Sequence, residues 1–148
     1  MYKKILVTLD ASKLAECVLP HVETLAAGTD AEVVLLSVGE PTPEFLGDDP
    51  EHRVFVEQAV ARLEVQVKDY LGRVAKELQA KGVKAKGEFI PGNPAEEILD
   101  YAKRNNIDLI AMATHGRSGV GRWVRGSVAD KVLHSSPVPV LLVRAPGT

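Results

Sequence analysis

Two hydrophobic periods alternate along the chain, and that alternation limits its fold more than any other feature. Residues 4–9 (KILVTL), 32–38 (EVVLLSV), 107–113 (IDLIAMA) and 138–143 are short, nearly continuous apolar runs. Such runs read as strands buried on both faces. Between the first two, Leu14, Val18, Val22 and Leu25 recur at helical spacing, with Ser12 placed to cap the start and Gly28 to end the helix. Pro20 falls inside that pattern and predicts a kink or a poorly bonded first turn there. From about residue 56 to 81, Leu63, Val67, Tyr70, Leu71, Val74 and Leu78 mark a long amphipathic helix closed by Gly82. Residues 83–90 form a weaker strand, interrupted by Lys84, Lys86 and Gly87, and suit a sheet edge.

Asn93 followed by Pro94 is a helix start, with Ile98, Leu99 and Ala102 on the buried face and an end near Asn105. Another helix opens at Gly126-Ser127 and runs to His134. Strand and helix therefore alternate throughout, which requires a parallel sheet with helices on both faces because each crossover is right-handed. In open sheets of this kind, ligands bind beyond the carboxyl ends of the strands where the winding reverses. If the first and fourth strands flank that reversal, Asp10 and the 114–125 loop share one crevice. Residues 39–52, rich in proline, glycine and acid, read as a long loop of the sort that serves a site.

Composition narrows the class. The 148 residues, 45% of them hydrophobic, describe one compact domain spanning 1–148 that needs no disulfide or structural metal. One cysteine, Cys17, excludes a disulfide framework and an all-thiolate zinc site. The first apolar run is too short for a signal-peptide core, and no stretch approaches the ~20 residues that cross a bilayer. A cytoplasmic location is expected. Eighteen basic against 20 acidic residues give no general attraction to nucleic acid or to a membrane surface. Any anion site must be local.

The segment 112–130 (MATHGRSGVGRWVRGSVAD) is such a place. It follows a strand, carries Gly116, Gly119, Gly121 and Gly126, and opens a helix at Ser127. Glycines let backbone N–H groups approach a phosphate closely, and a helix start supplies unpaired donors. No acidic residue lies between Asp108 and Asp130, whereas Arg117, Arg122 and Arg125 do. Two readings stand on these residues alone: an anion cradle, or a turn whose arginines form a solvated face. The loop matches neither the Walker A nor the dinucleotide fingerprint.

The spacing Ala113-Thr114-His115-Gly116, nine residues, then Gly126-Ser127 resembles the nucleotide signature of the universal stress protein family. The likeness extends to KILVTLDAS, Pro91-Gly92-Asn93-Pro94-Ala95, DLIAMATHGRSG, GSVADKVL and PVPVLLV, so it covers essentially the whole chain. It implies an α/β fold of the adenine nucleotide alpha hydrolase-like, Rossmann-like kind: an open five-stranded parallel sheet of order 3-2-1-4-5. It further implies a homodimer through the last strand and ATP in the crevice; Mg²⁺ is expected as its companion because the triphosphate charge needs neutralising. Carried over by position, adenine and ribose contacts fall on Thr8, Leu9, Asp10, Val38 and Met112. Phosphate contacts fall on Ala113, His115, Gly116, Arg117, Gly126, Ser127 and Val128. Ala113 departs from the signature glycine. Its methyl weakens binding if the backbone there needs positive φ or close approach, and is harmless at an ordinary strand end.

His21, His52 and His134 lack ligand spacing to each other or to Cys17 and read as structural or surface residues, and Cys17 as packed. Asp100 and Asp108 read as solvated or capping, and Trp123 as packing at a dimer contact or shielding the loop. No general base accompanies the phosphate loop, so the expected function is nucleotide binding as a stress-response switch, with little or no hydrolysis. Two alternatives stand: a nucleotide-free dimeric interaction module, and a slow adenine-nucleotide hydrolase.

Overall fold

The computed structural model describes residues 1–39, 50–114 and 126–146. Five parallel strands, β1 (Lys4–Thr8), β2 (Glu32–Gly39), β3 (Lys84–Pro91), β4 (Leu109–Thr114) and β5 (Val140–Arg144), lie in the order β3-β2-β1-β4-β5. The winding reverses between β1 and β4. A short 3-10 helix (Leu14–Val18) leads into α1 (Leu19–Ala26), and α2 (Pro50–Ala80), α3 (Pro94–Arg104) and α4 (Gly126–Ser135) complete the layers.

Strand alternation divides the interior in two. Ile5, Val7 and Leu9 of the first strand and its exit join Val33, Leu35, Ala111 and Ala113 under the 3-10 helix, α1 and α2. Leu6 joins Leu36, Val38, Ile110 and Met112 under α3 and α4, which contribute Ile98, Tyr101 and Val132. Apolar burial on both faces is why these strands are legible as continuous runs.

Several boundaries differ from expectation. The helix expected from Ser12 to Gly28 is two pieces, because Pro20 has no N–H to give an α-helix interior and sits instead in the first turn of α1. The Ser12 hydroxyl does receive the Ala15 N–H at 3.2 Å, and Gly28 turns the chain at φ 76°. α2 starts at Pro50, inside the expected loop, and runs 31 residues. Its buried side chains begin only at Val67, so its first turns leave no apolar period to read. β4 and β5 each start two residues later than their apolar runs, at Leu109 and Val140. Asn93 caps α3 as expected, its side chain accepting from Glu96 N–H at 3.2 Å.

α2 crosses β3 at close range. A Cβ built on Gly87 would stand 2.7 Å from Leu71 Cβ and 3.3 Å from its backbone carbon, whereas one on Gly72, within α2, meets nothing within 4 Å. Gly87→Ala should therefore cost about 1–3 kcal/mol by forcing the helix off the sheet. Gly72→Ala should add roughly 0.5–1 kcal/mol of stability. Urea unfolding of the two variants checks both signs. Equal midpoints would contradict the close crossing.

Candidate functional site

The site begins where β1 stops. β1 pairs with β2 as far as Thr8↔Leu36, and Leu9 N–H reaches the Leu36 carbonyl at 2.9 Å. On the other side its last pair is Val7↔Ala111. β2 and β4 run on to Gly39 and Thr114. The Gly39 carbonyl accepts from Gly92 N–H on the β3 side at 2.9 Å, so the peptide groups of Val38, one residue earlier, face the β1 side. No hydrogen bond to Val38's N–H or C=O occurs there among the described residues. The Thr114 carbonyl accepts from Ala145 N–H toward β5, so the peptide groups of Ala113 likewise face the gap above β1. Two peptide edges thus converge on one crevice.

Side chains divide around it by face. Thr8, Val38 and Met112 belong to the α3/α4 side and are almost fully buried. The Thr8 hydroxyl, 3% exposed by residue, makes no hydrogen bond among the described residues. Leu9 and Ala113 belong to the opposite core and offer the crevice only backbone. Ala113 has no positive φ and its methyl is buried in that core, which makes its place an ordinary strand end. Gly126, Ser127 and Val128 form the first turn of α4, which carries no acidic residue. The free N–H groups of that turn are the donor set expected for an anion. His115, Gly116 and Arg117 lie outside the described residues, as do Arg122, Trp123, Arg125 and the side chain of His52.

Asp10 is held by its own turn. Its Oδ1 accepts from Ser12 N–H at 2.9 Å, bridging Ala11, which adopts a left-handed φ of 69°. Ser12 then caps the 3-10 helix, and Glu16 of that helix accepts from the Tyr70 hydroxyl of α2 at 2.9 Å. Asp108, expected to be solvated or capping, accepts from the N–H groups of Lys3 (2.7 Å) and Lys4 (3.1 Å) and so fixes the start of β1. Asp100 makes an exposed 4.0 Å pair with Arg104. Cys17 is half-buried, and burial raises its thiol above the ordinary value, as suits a packed residue.

Ser37 and Tyr70 escaped the sequence reading as site residues. Ser37 is the one hydroxyl in the EVVLLSV run, a signal that was available. The partnership of Tyr70 with Glu16, 54 residues away, was not. A concavity of about 600 Å³ lies at the amino end of the sheet by Met1, Tyr2 and Asp30. It has no convergent polar set, and Asp30 is already paired with Lys84 at 3.3 Å.

Comparison with known proteins places this geometry. The universal stress protein family model matches residues 1–144. This chain belongs to the universal stress protein family. It is 34% identical over 146 residues to universal stress protein MJ0531 of Methanocaldococcus jannaschii, covering 99% of the chain and 84% of the relative. The solved structure of MJ0577, also from M. jannaschii, superposes with TM-score 0.83 at 32% identity, covering 100% of this chain and 99% of that one. More distant members share the fold: a universal stress protein in complex with cAMP (19% identity, TM-score 0.66, covering 97% and 98%) and an Arabidopsis thaliana protein with AMP bound (17%, 0.65, covering 98% and 93%).

The Tyr70 hydroxyl is pushed above its ordinary range by burial and then by Glu16. Tyr101, which donates to the Glu88 carboxylate of β3, is raised by burial and then by Glu88. In the unfolded chain both protons leave near pH ~10. The contribution of these phenols is complete below that pH and is lost as pH rises past it, where the unfolded chain releases protons that the folded one keeps. Unfolding midpoints followed from about pH 8 to about pH 11 should fall at the alkaline end, with Tyr70→Phe flattening the fall. A fall of undiminished slope in Tyr70→Phe would contradict this account of Tyr70.

Proposed function

We propose that this chain binds an adenine nucleotide, ATP accompanied by Mg²⁺, in the crevice beyond β1, and that occupancy rather than turnover carries its function in stress response. The observation that carries the reading is the pair of peptide edges, Val38 and Ala113, converging on the buried Thr8 hydroxyl and the Asp10 carboxylate. The Val38 N–H and C=O, side by side, match the acceptor and donor on the edge of adenine. Asp10 can accept from ribose hydroxyls. The first turn of α4, with Ser127 exposed, can receive phosphate. The AMP and cAMP complexes of distant relatives agree with an adenine ligand.

The absence of an acidic residue in the first turn of α4, together with the buried methyl of Ala113, means that nothing described at this edge repels or obstructs a phosphate. Among the described residues, no three His, Cys, Asp or Glu side chains group to hold a metal. On this reading Mg²⁺ arrives with the phosphates, whose charge it neutralises. No residue described at the crevice is set to orient water, and the reading is of a site that binds rather than hydrolyses at enzyme rates. The reading includes a cytoplasmic homodimer through β5, whose Val140, Leu141, Leu142 and Val143 are half-buried at the sheet edge. A nucleotide-free interaction module is the second reading. It is favoured by the exposed Val54, Phe55, Leu63 and Val65 of α2.

Thermal unfolding of nucleotide-stripped protein with millimolar Mg·ATP tests the first reading. At one hundred times the dissociation constant the stabilisation is ~2.7 kcal/mol, which raises the midpoint by roughly 5–10 °C. The shift should vanish in Gly126→Val. No shift with any adenine nucleotide overturns the site. Phosphate release at ordinary enzyme rates, lost in Ser127→Ala with binding intact, overturns the non-catalytic role.

A further inference from the structure

On the α2 side of the sheet, behind the crevice, lies a cavity of about 60 Å³. Leu63 and Val67 of α2, Phe89 of β3, Val38 and Gly39 make most of its lining, and Ser37 and Asp10 are the lining residues that carry polar side chains. Ser37 is 5% exposed and its hydroxyl makes no hydrogen bond among the described residues. Burying a hydroxyl without a partner is unfavourable, so a group of this kind calls for a partner. The space is large enough for water, which needs about 10–15 Å³ by this measure and two to four polar neighbours. It is too small for a nucleoside or a sugar.

We propose that this cavity is a water site and that Ser37, through the bound water, is a positioning residue for the Asp10 carboxylate. Asp10 already gives Oδ1 to the Ser12 N–H on one side. A water held by Ser37 donates to the same carboxylate from behind, which fixes its plane toward the crevice. Ser37 lies on the opposite sheet face from Thr8, Val38 and Met112, so it acts on a ligand only through Asp10. This inference rests on the reading that Asp10 meets the ribose, but the water itself does not.

The test has two arms. A high-resolution crystal structure of the nucleotide-free protein should show an ordered water within hydrogen-bond distance of both Ser37 Oγ and an Asp10 oxygen, absent in Ser37→Ala and kept in Ser37→Thr. In the second arm, ATP affinity should fall roughly three- to tenfold in Ser37→Ala, the range for one lost hydrogen bond, and recover in Ser37→Thr. It should fall no further when Ser37→Ala is added to Asp10→Asn. No water between the two residues overturns the proposal, whether or not ATP binds. A Ser37→Ala effect that persists in full beside Asp10→Asn also overturns it, because a loss of packing would behave that way. If the water is found and ATP fails to bind, the site reading falls and the water-held carboxylate stands.

Discussion

A strand at the centre of a parallel sheet is bonded on both sides, and β1 keeps those bonds only as far as Thr8 and Leu9. At Ala11 the chain enters the left-handed region, which costs an L-residue about 1–2 kcal/mol. The Asp10 carboxylate offsets this by accepting from Ser12 N–H, a charge-assisted hydrogen bond that contributes about 1.5–3 kcal/mol. β1 therefore leaves the sheet early while its neighbours continue. The crevice, the convergent edges of Val38 and Ala113, and the place of Asp10 at the mouth all follow from that one exit. A buried peptide group without a partner is expensive, so edges left this way mark where something else must bond.

The same turn is braced from outside the sheet. Ser12 caps the 3-10 helix, Glu16 of that helix takes the Tyr70 hydroxyl, and α2 lies across β3 so closely that Gly87 has no room for a methyl. α2 thus ties the far edge of the sheet to the turn that carries Asp10. Its second half does this with Val67, Leu71, Val74 and Leu78 in the core. Its first half buries no described side chain and runs past the end of the packed stripe.

That division explains what the sequence could and could not disclose. β1, β2 and β4 were legible because burial on both faces makes each an uninterrupted apolar run. Asn93 was legible because a cap acts on its own next turn. The start of α2 was not, since a helical period shows only where a core selects for it, and no described side chain of residues 50–66 is buried. Asp10 could be placed by topology, because a strand end at a winding reversal faces the crevice, whereas Val38 was reached only through the family resemblance. The pairing of Ser37 with the space behind Asp10, and of Tyr70 with Glu16, depends on how α2 lies on the sheet, which no local pattern encodes. Ala113 shows the limit most clearly: as a letter it departs from a glycine signature, yet in the fold its methyl points into the α1 and α2 core and its backbone is ordinary strand.

Recognition through peptide groups also bears on how such a site persists. Where N–H and C=O of Val38 and Ala113 do the bonding, the side chains at those positions answer to the core, and any residue that packs there presents the same edge. What must be kept is the register of β1 against β2 and β4 and the early exit of β1. Among the described residues, the polar groups that meet the crevice on this reading are the Thr8 hydroxyl, the Asp10 carboxylate and the first turn of α4. This chain is 32% identical to MJ0577 and superposes on it with TM-score 0.83, so the two share the backbone frame where most of their letters differ. On the proposed reading, Ala113 in place of a signature glycine keeps its methyl in the α1 and α2 core and leaves the peptide edge of β4 facing the crevice.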